Sequence, residues 1–252
     1  MPRNYKNPPV AEALCEFLFE PSQPWDWTLP GLMYAEMKRD FPKKRQQTVQ
    51  LQLQLGVIPF GGQGVAAPSL TPTPALSRLQ FLTEDEKTLV QVGPDVLTVN
   101  KLKPYSSWGE FKPLIRDALA VYSDIAKPKC IRRLGLRYIN RIEIPAGEVD
   151  VEQYLLAHPR IPESMPQRLN SWVQRAEIPI SDHGVLVLQS GSVREPGNAN
   201  IVFMLDLDFG TVQGSLPAEA AMERVEAAHQ QVESAFEACV TAKARLLFKE
   251  VV

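Results

Sequence analysis

The sequence predicts an α+β fold, a curved antiparallel sheet built from two similar halves with helices mainly on one face. Three observations lead there. A strand, a helix, several strands and a second helix follow one another up to Pro128, and the same order then recurs. The strand candidates are short, β-branched or alternating runs separated by turn clusters. Each half closes on a long run with helical periodicity, and an antiparallel sheet needs only one face covered by such helices.

In the first half, residues 1–127, Val10 to Glu20 is apolar and β-compatible and stops at Pro21. Trp25 and Trp27 follow in a proline-flanked loop. Pro30 to Phe41 carries Leu32, Met33, Met37 and Phe41 at helical spacing and ends at Pro42. Thr48 to Leu55 alternates valine and leucine with glutamine, a half-buried strand. Gly56 to Ser77 lacks any charged residue and reads as a long loop. Its Gly61-Gly62-Gln63-Gly64 cluster is not followed by Gly-Lys-Ser/Thr, so no phosphate loop and no cofactor are expected. Leu79 to Thr83, Thr88 to Val92 and Val96 to Leu102 form a meander. Ser107 then caps a helix to Ala126, with Glu110 completing a capping box.

In the second half, residues 128–252, Ile131 to Ile144 is a long strand ending at Pro145. Val151 to Ala157 reads as a short helix. Leu169 to Ile180, Val185 to Ser190 and Ile201 to Phe209 read as strands, and Ala218 to about Lys249 as one terminal helix. Met222, Val225, His229, Val232, Phe236, Cys239, Lys243 and Leu246 give that helix a seam of three and four spacing. The seam either lies on the chain's own sheet or joins two copies in a homodimer.

Lysine and arginine number 27 and aspartate and glutamate 29, a net charge of −2. A dedicated nucleic-acid binder carries a basic excess, because phosphate neutralisation supplies much of its affinity. No run is apolar enough to span a membrane, and the opening residues lack the apolar stretch of a secretory signal. Cys15, Cys130 and Cys239 are scattered and odd in number, which argues for a reducing, cytoplasmic compartment and against zinc or a disulfide framework.

The candidate chemistry centres on the strand Ile131 to Ile144. Arg133, Arg137 and Arg141 share one face, each pair roughly 13 Å apart at ~3.3 Å per residue, with Asn140 nearby. Guanidinium forks hold phosphates or carboxylates. Alternatively they pair with Asp206, Asp208 and Glu177 on neighbouring strands. Asp206 and Asp208 also form a weak candidate for a divalent metal. Trp25 and Trp27 are candidates for a recognition surface. No nucleophile elbow is present, and no histidine stands at metal spacing.

Tyr5-Lys6-Asn7-Pro8-Pro9-Val10-Ala11-Glu12-Ala13, followed by Cys15-Glu16-Phe17, resembles a sporadically distributed bacterial protein family of similar length. Val90-Gln91-Val92, Asn100, Tyr105, Trp108 and Phe111 fit the same pattern. So do Arg137-Tyr138-Ile139-Asn140-Arg141, Phe236-Glu237 and Val240-Thr241. The resemblance carries no catalytic residue across. It implies a cytoplasmic bacterial accessory protein of the kind traded on mobile elements, as in defence or toxin–antitoxin systems.

Three functional expectations follow in order. The first is a non-catalytic protein binding a small anionic ligand or a protein partner on the arginine face. The second is a nucleic-acid-binding module on a saddle-like sheet. The third is a metal-dependent hydrolase using Asp206 and Asp208.

Overall fold

A computed structural model describes residues 3–48, 77–145, 150–166, 169, 171–180, 184–193, 197, 200–211 and 214–251. The strands are β1 (Asn4–Tyr5), β2 (Val10–Glu20), β3 (Lys43–Thr48), β4 (Ser77–Leu82), β5 (Thr88–Gly93), β6 (Val96–Leu102), β7 (Cys130–Ile144), β8 (Val173–Ile180), β9 (Gly184–Val193), β10 (Ile201–Gly210) and β11 (Glu250–Val251). The helices are α1 (Leu29–Met37), α2 (Trp108–Ala126), α3 (Ala221–Cys239) and α4 (Ala242–Phe248).

Nine strands form one antiparallel sheet in the order β3-β4-β5-β6-β2-β7-β10-β9-β8, and β1 pairs with β11 in a separate two-stranded ribbon. The sheet is curved and unclosed. The first strands of the two sequence halves, β2 and β7, pair at its centre. Outward from them run β6, β5, β4 and β3 on one side and β10, β9 and β8 on the other.

Alternation decides what the centre buries. Ala13, Cys15, Phe17 and Phe19 of β2 and Leu134 and Leu136 of β7 are fully buried on the helix side. Phe19 stacks on Tyr122 of α2 at 4.3 Å. Each such phenylalanine contributes roughly 1.5–3 kcal/mol through burial. Helix α2 packs on β6 and α1, whereas α3 packs on β7 and β10. The Ser107 hydroxyl accepts the Glu110 N–H at 3.3 Å, the cap expected from the sequence.

Several boundaries differ from expectation. The terminal helix is two helices, because Val240 is extended and bridges Leu155, and Thr241 then caps α4 by accepting the Ala244 N–H. A β-branched pair followed by a new cap ends the first helix. The seam residues Val225, Val232 and Cys239 are buried on the chain's own sheet, while Leu246 of α4 is exposed. Over the expected helix Val151–Ala157 there is only a 3-10 turn, Val151–Gln153, after which Leu155 bridges to Val240. The expected strand Thr48–Leu55 lies outside the described residues beyond Thr48, as does the expected loop up to residue 76. Among the described residues no helix is long and apolar enough to cross a membrane.

Candidate functional site

The arginines of β7 lie on the sheet face opposite the helices, and carboxylates meet them there. Arg137 donates to Asp206 through Nε at 2.8 Å and Nη2 at 2.5 Å, a bidentate fork between adjacent strands. Arg141 pairs with Glu143. Arg133 stands 3.9 Å from Glu16 and lies over Gly210, where an added Cβ would be 2.7 Å from its Nη2. Asp208 faces Arg137 across the β7–β10 pair. Burial holds its carboxyl above the usual carboxylate range, against the opposing pull of Arg133 and Arg137. Glu177 pairs with Arg175 at 2.5 Å. Among the described residues no group of three or more His, Cys, Asp and Glu side chains stands close enough to hold a metal ion.

The same face carries a hydrogen-bond ladder across five strands. Arg45 donates to Gln80 at 2.9 Å, Gln80 to Gln91 at 3.0 Å, Gln91 to Asn100 at 2.7 Å and Asn100 to Glu12 at 2.6 Å. These polar groups satisfy one another, the condition for burying them.

Asn140 belongs to the other face. By alternation it points with Tyr138 and Ile142, away from the arginines, and it is buried. Its amide donates to the Leu205 carbonyl at 3.1 Å. Trp25 and Trp27 meet edge-on at 5.7 Å between β2 and α1. Trp27 is 62% exposed, and the buried Trp25 Nε1 has no partner.

On the helix side lies a cavity of about 360 Å³, bounded by the N-terminal segment, the entry to α2, the middle of β7 and one face of α3. The N-terminal wall is pinned first by β1 and β11. Beyond them the Lys6 N–H donates to Lys249 O at 3.0 Å and the Asn7 N–H to Phe248 O at 2.9 Å. Pro8 and Pro9 have no N–H to give, and the Pro9 carbonyl accepts from the Arg141 N–H at 2.8 Å. The Tyr5 hydroxyl donates to Glu237 at 2.6 Å, and that carboxylate also takes Arg245 at 2.9 Å.

Trp108 opens α2 with its indole N–H on Glu226 at 3.1 Å, and Lys112 donates to the same carboxylate at 2.6 Å. Those bonds fix the indole, and the His229 ring stacks on it at 4.0 Å and 14°. On α3, His229, Val232, Glu233, Phe236 and Glu237 recur at helical spacing along the cavity. The hydroxyls of Tyr105 and Tyr138 meet 3.0 Å apart in its wall.

The lining is electrically neutral where it is deepest. Burial lowers the His229 imidazole to about 4, with Glu226 opposing and Lys112 assisting. Burial raises the Tyr105 phenol to about 12 and Tyr138 well above its ordinary value. Burial, followed by the Glu237 charge, raises the Glu233 carboxyl. The Nδ1 of His229 is buried without a partner. A buried ring nitrogen without a hydrogen-bond partner carries a desolvation cost, and His229 is also one of the residues that border the cavity. The Ser107 hydroxyl accepts the Glu110 N–H, and the Ser106 hydroxyl donates to the Glu110 carboxylate.

Sequence reasoning grouped Asn140 with the arginines, from which alternation along β7 separates it, and it did not name His229, Tyr105, Tyr138 or Glu233, which border the cavity, among its candidates. The available signals were a histidine interrupting an apolar seam and the tyrosines inside the segments that carry the family resemblance. Comparisons with protein-family models, with curated proteins and with solved structures give no match.

Proposed function

We propose that this chain is a non-catalytic small-molecule-binding protein whose ligand occupies the cavity between the N-terminal segment, Tyr138 and α3. One observation carries the reading: His229, whose Nδ1 has no partner, and the hydroxyl-paired Tyr105 and Tyr138 border one aromatic-walled cavity. Its volume of about 360 Å³ falls in the range of small-ligand sites, roughly 300–1,000 Å³. The segments behind the family resemblance support the same place, because Tyr5, Pro8, Pro9, Tyr105, Trp108 and Asn140 all border it. The arginine face is the weaker candidate, since Arg137 and Arg141 already hold carboxylates and Arg133 stands 3.9 Å from Glu16. The free cysteines agree with the cytoplasmic, bacterial accessory role that belongs to this reading.

Native mass spectrometry of the gently purified full chain, before and after incubation with a library of small metabolites, tests it. The expected result is a retained mass that Val232→Phe, which fills the cavity, and Ser106→Trp, which blocks its mouth, both displace. A retained mass that survives both variants and disappears in Arg137→Ala would move the site to the opposite face of the sheet.

A further inference from the structure

Resting on that reading, we infer that the cavity takes a planar, uncharged heteroaromatic ring with a lactam or amidine edge, held by the Tyr105–Tyr138 hydroxyl pair and by His229.

The walls select shape. Trp108 and His229 lie parallel at 4.0 Å, Tyr105 crosses Tyr138 edge-on at 5.6 Å, and Tyr5 crosses Phe236 edge-on at 6.3 Å. Flat and edge-on aromatic surfaces favour insertion of another ring, stacked or T-shaped. The proline pair Pro8–Pro9 adds a further apolar wall without a donor to satisfy.

The polar groups select the edge. Two phenol hydroxyls carry two O–H donors and four lone pairs between them. Their mutual bond at 3.0 Å spends one donor and one lone pair. One donor and several acceptors remain on two adjacent oxygens. A lactam or amidine presents a complementary acceptor and N–H side by side, so it pairs with both oxygens at once. The His229 Nδ1 then meets a second ring heteroatom or substituent, which completes its missing bond.

The electrostatics disfavour charge on the ring. Tyr105, Tyr138 and Asn140 are buried, so a charge set against them loses hydration, and the nearby Glu233, which acts on both phenols, opposes an anion. At the mouth Arg3 is held by Glu250 at 2.5 Å and Glu237 at 3.5 Å, which leaves Glu233 to disfavour an anionic substituent.

Titration calorimetry of the full chain with three bicyclic probes tests the assignment. Quinazolin-4-one has the lactam edge, quinazoline lacks its N–H, and 3-methylquinazolin-4-one has it blocked. Quinazolin-4-one is expected to bind at least about tenfold tighter than either control, as for a lost buried hydrogen bond. Tyr105→Phe and Tyr138→Phe are each expected to reduce that preference to less than about threefold. Equal binding of the three probes, or a preference untouched in both variants, overturns the inference. The wild-type comparison decides it even where a variant fails to fold. The uncharged dye N-phenyl-1-naphthylamine separates the two levels. Dye binding that Ser106→Trp abolishes, with quinazolin-4-one silent, overturns the ligand class and leaves the cavity reading intact. Silence of both dye and probes overturns both.

Discussion

The hydroxyl of Tyr105, just before α2, lies 3.0 Å from the hydroxyl of Tyr138, in the middle of β7. The contact ties the chain leaving β6 to the centre of the sheet and forms part of the cavity wall. Replacing Tyr105 by phenylalanine leaves a buried phenol without its partner. The expected loss is about 1–2 kcal/mol in urea unfolding. The double replacement with Tyr138→Phe is expected to cost less than the two single losses added together. Additive losses would mean that the hydroxyls do not interact.

His229 gives the stability a particular pH dependence. Its folded value of about 4 lies below the ordinary 6.5, so the folded state favours the neutral ring. Above pH 6.5 neither state is charged and nothing is lost. As pH falls from 6.5 towards 4, the unfolded chain takes the proton and the folded chain does not, so stability declines. Below 4 the loss levels off. Its size is roughly 2–3 kcal/mol, allowing for partial exposure of the ring. Urea midpoints from pH 7.5 to 4.5 are expected to fall faster for the wild type than for His229→Gln. Parallel curves would place the imidazole in an ordinary solvated setting.

Gly210 and its neighbour Gly184 differ in what surrounds them. A Cβ on Gly210 meets the movable guanidinium of Arg133, so Gly210→Ala is expected to cost under about 1 kcal/mol. A Cβ on Gly184 runs into the Gly210 carbonyl, and its φ of +155° already suits glycine. Gly184→Ala is expected to cost more than about 2 kcal/mol. Thermal melts of the two variants check the order, and a reversed order would contradict the packing described at this end of β9 and β10.

The Arg137–Asp206 fork is expected to act on stability rather than on ligand binding. Both side chains are mostly buried, and either single alanine strands the other charge. Arg137→Ala is expected to cost about 2–4 kcal/mol, with cavity ligands bound as before at a temperature where the variant is folded. Lost binding in a folded Arg137→Ala protein would return the site to the arginine face.

How far these features could be read from the sequence depended on their range. Alternation along Ile131–Ile144 separated Arg133, Arg137 and Arg141 from the buried face, and the same alternation assigns Asn140 to the face of Tyr138. The capping box at Ser107 located α2 to within a residue. The cavity had no such local signature. Tyr5, Tyr105, Tyr138 and His229 come from four distant segments, and only the pairing of β2 with β7 and the packing of α3 bring them together. The two-residue strands β1 and β11 are too short for any periodicity, yet they fix one wall. The break at Val240–Thr241 was legible in principle, because a β-branched pair with a capping threonine favours a helix end over a helix interior.

The most direct test of the cavity as a binding site is the long-range 1H–15N imidazole spectrum of the full chain, which has only three histidines to resolve. The signal missing from His229→Gln identifies the residue. On saturation with quinazolin-4-one or N-phenyl-1-naphthylamine, the His229 nitrogens are expected to shift while those of His158 stay in place. A bound ligand that leaves His229 unmoved would contradict the site.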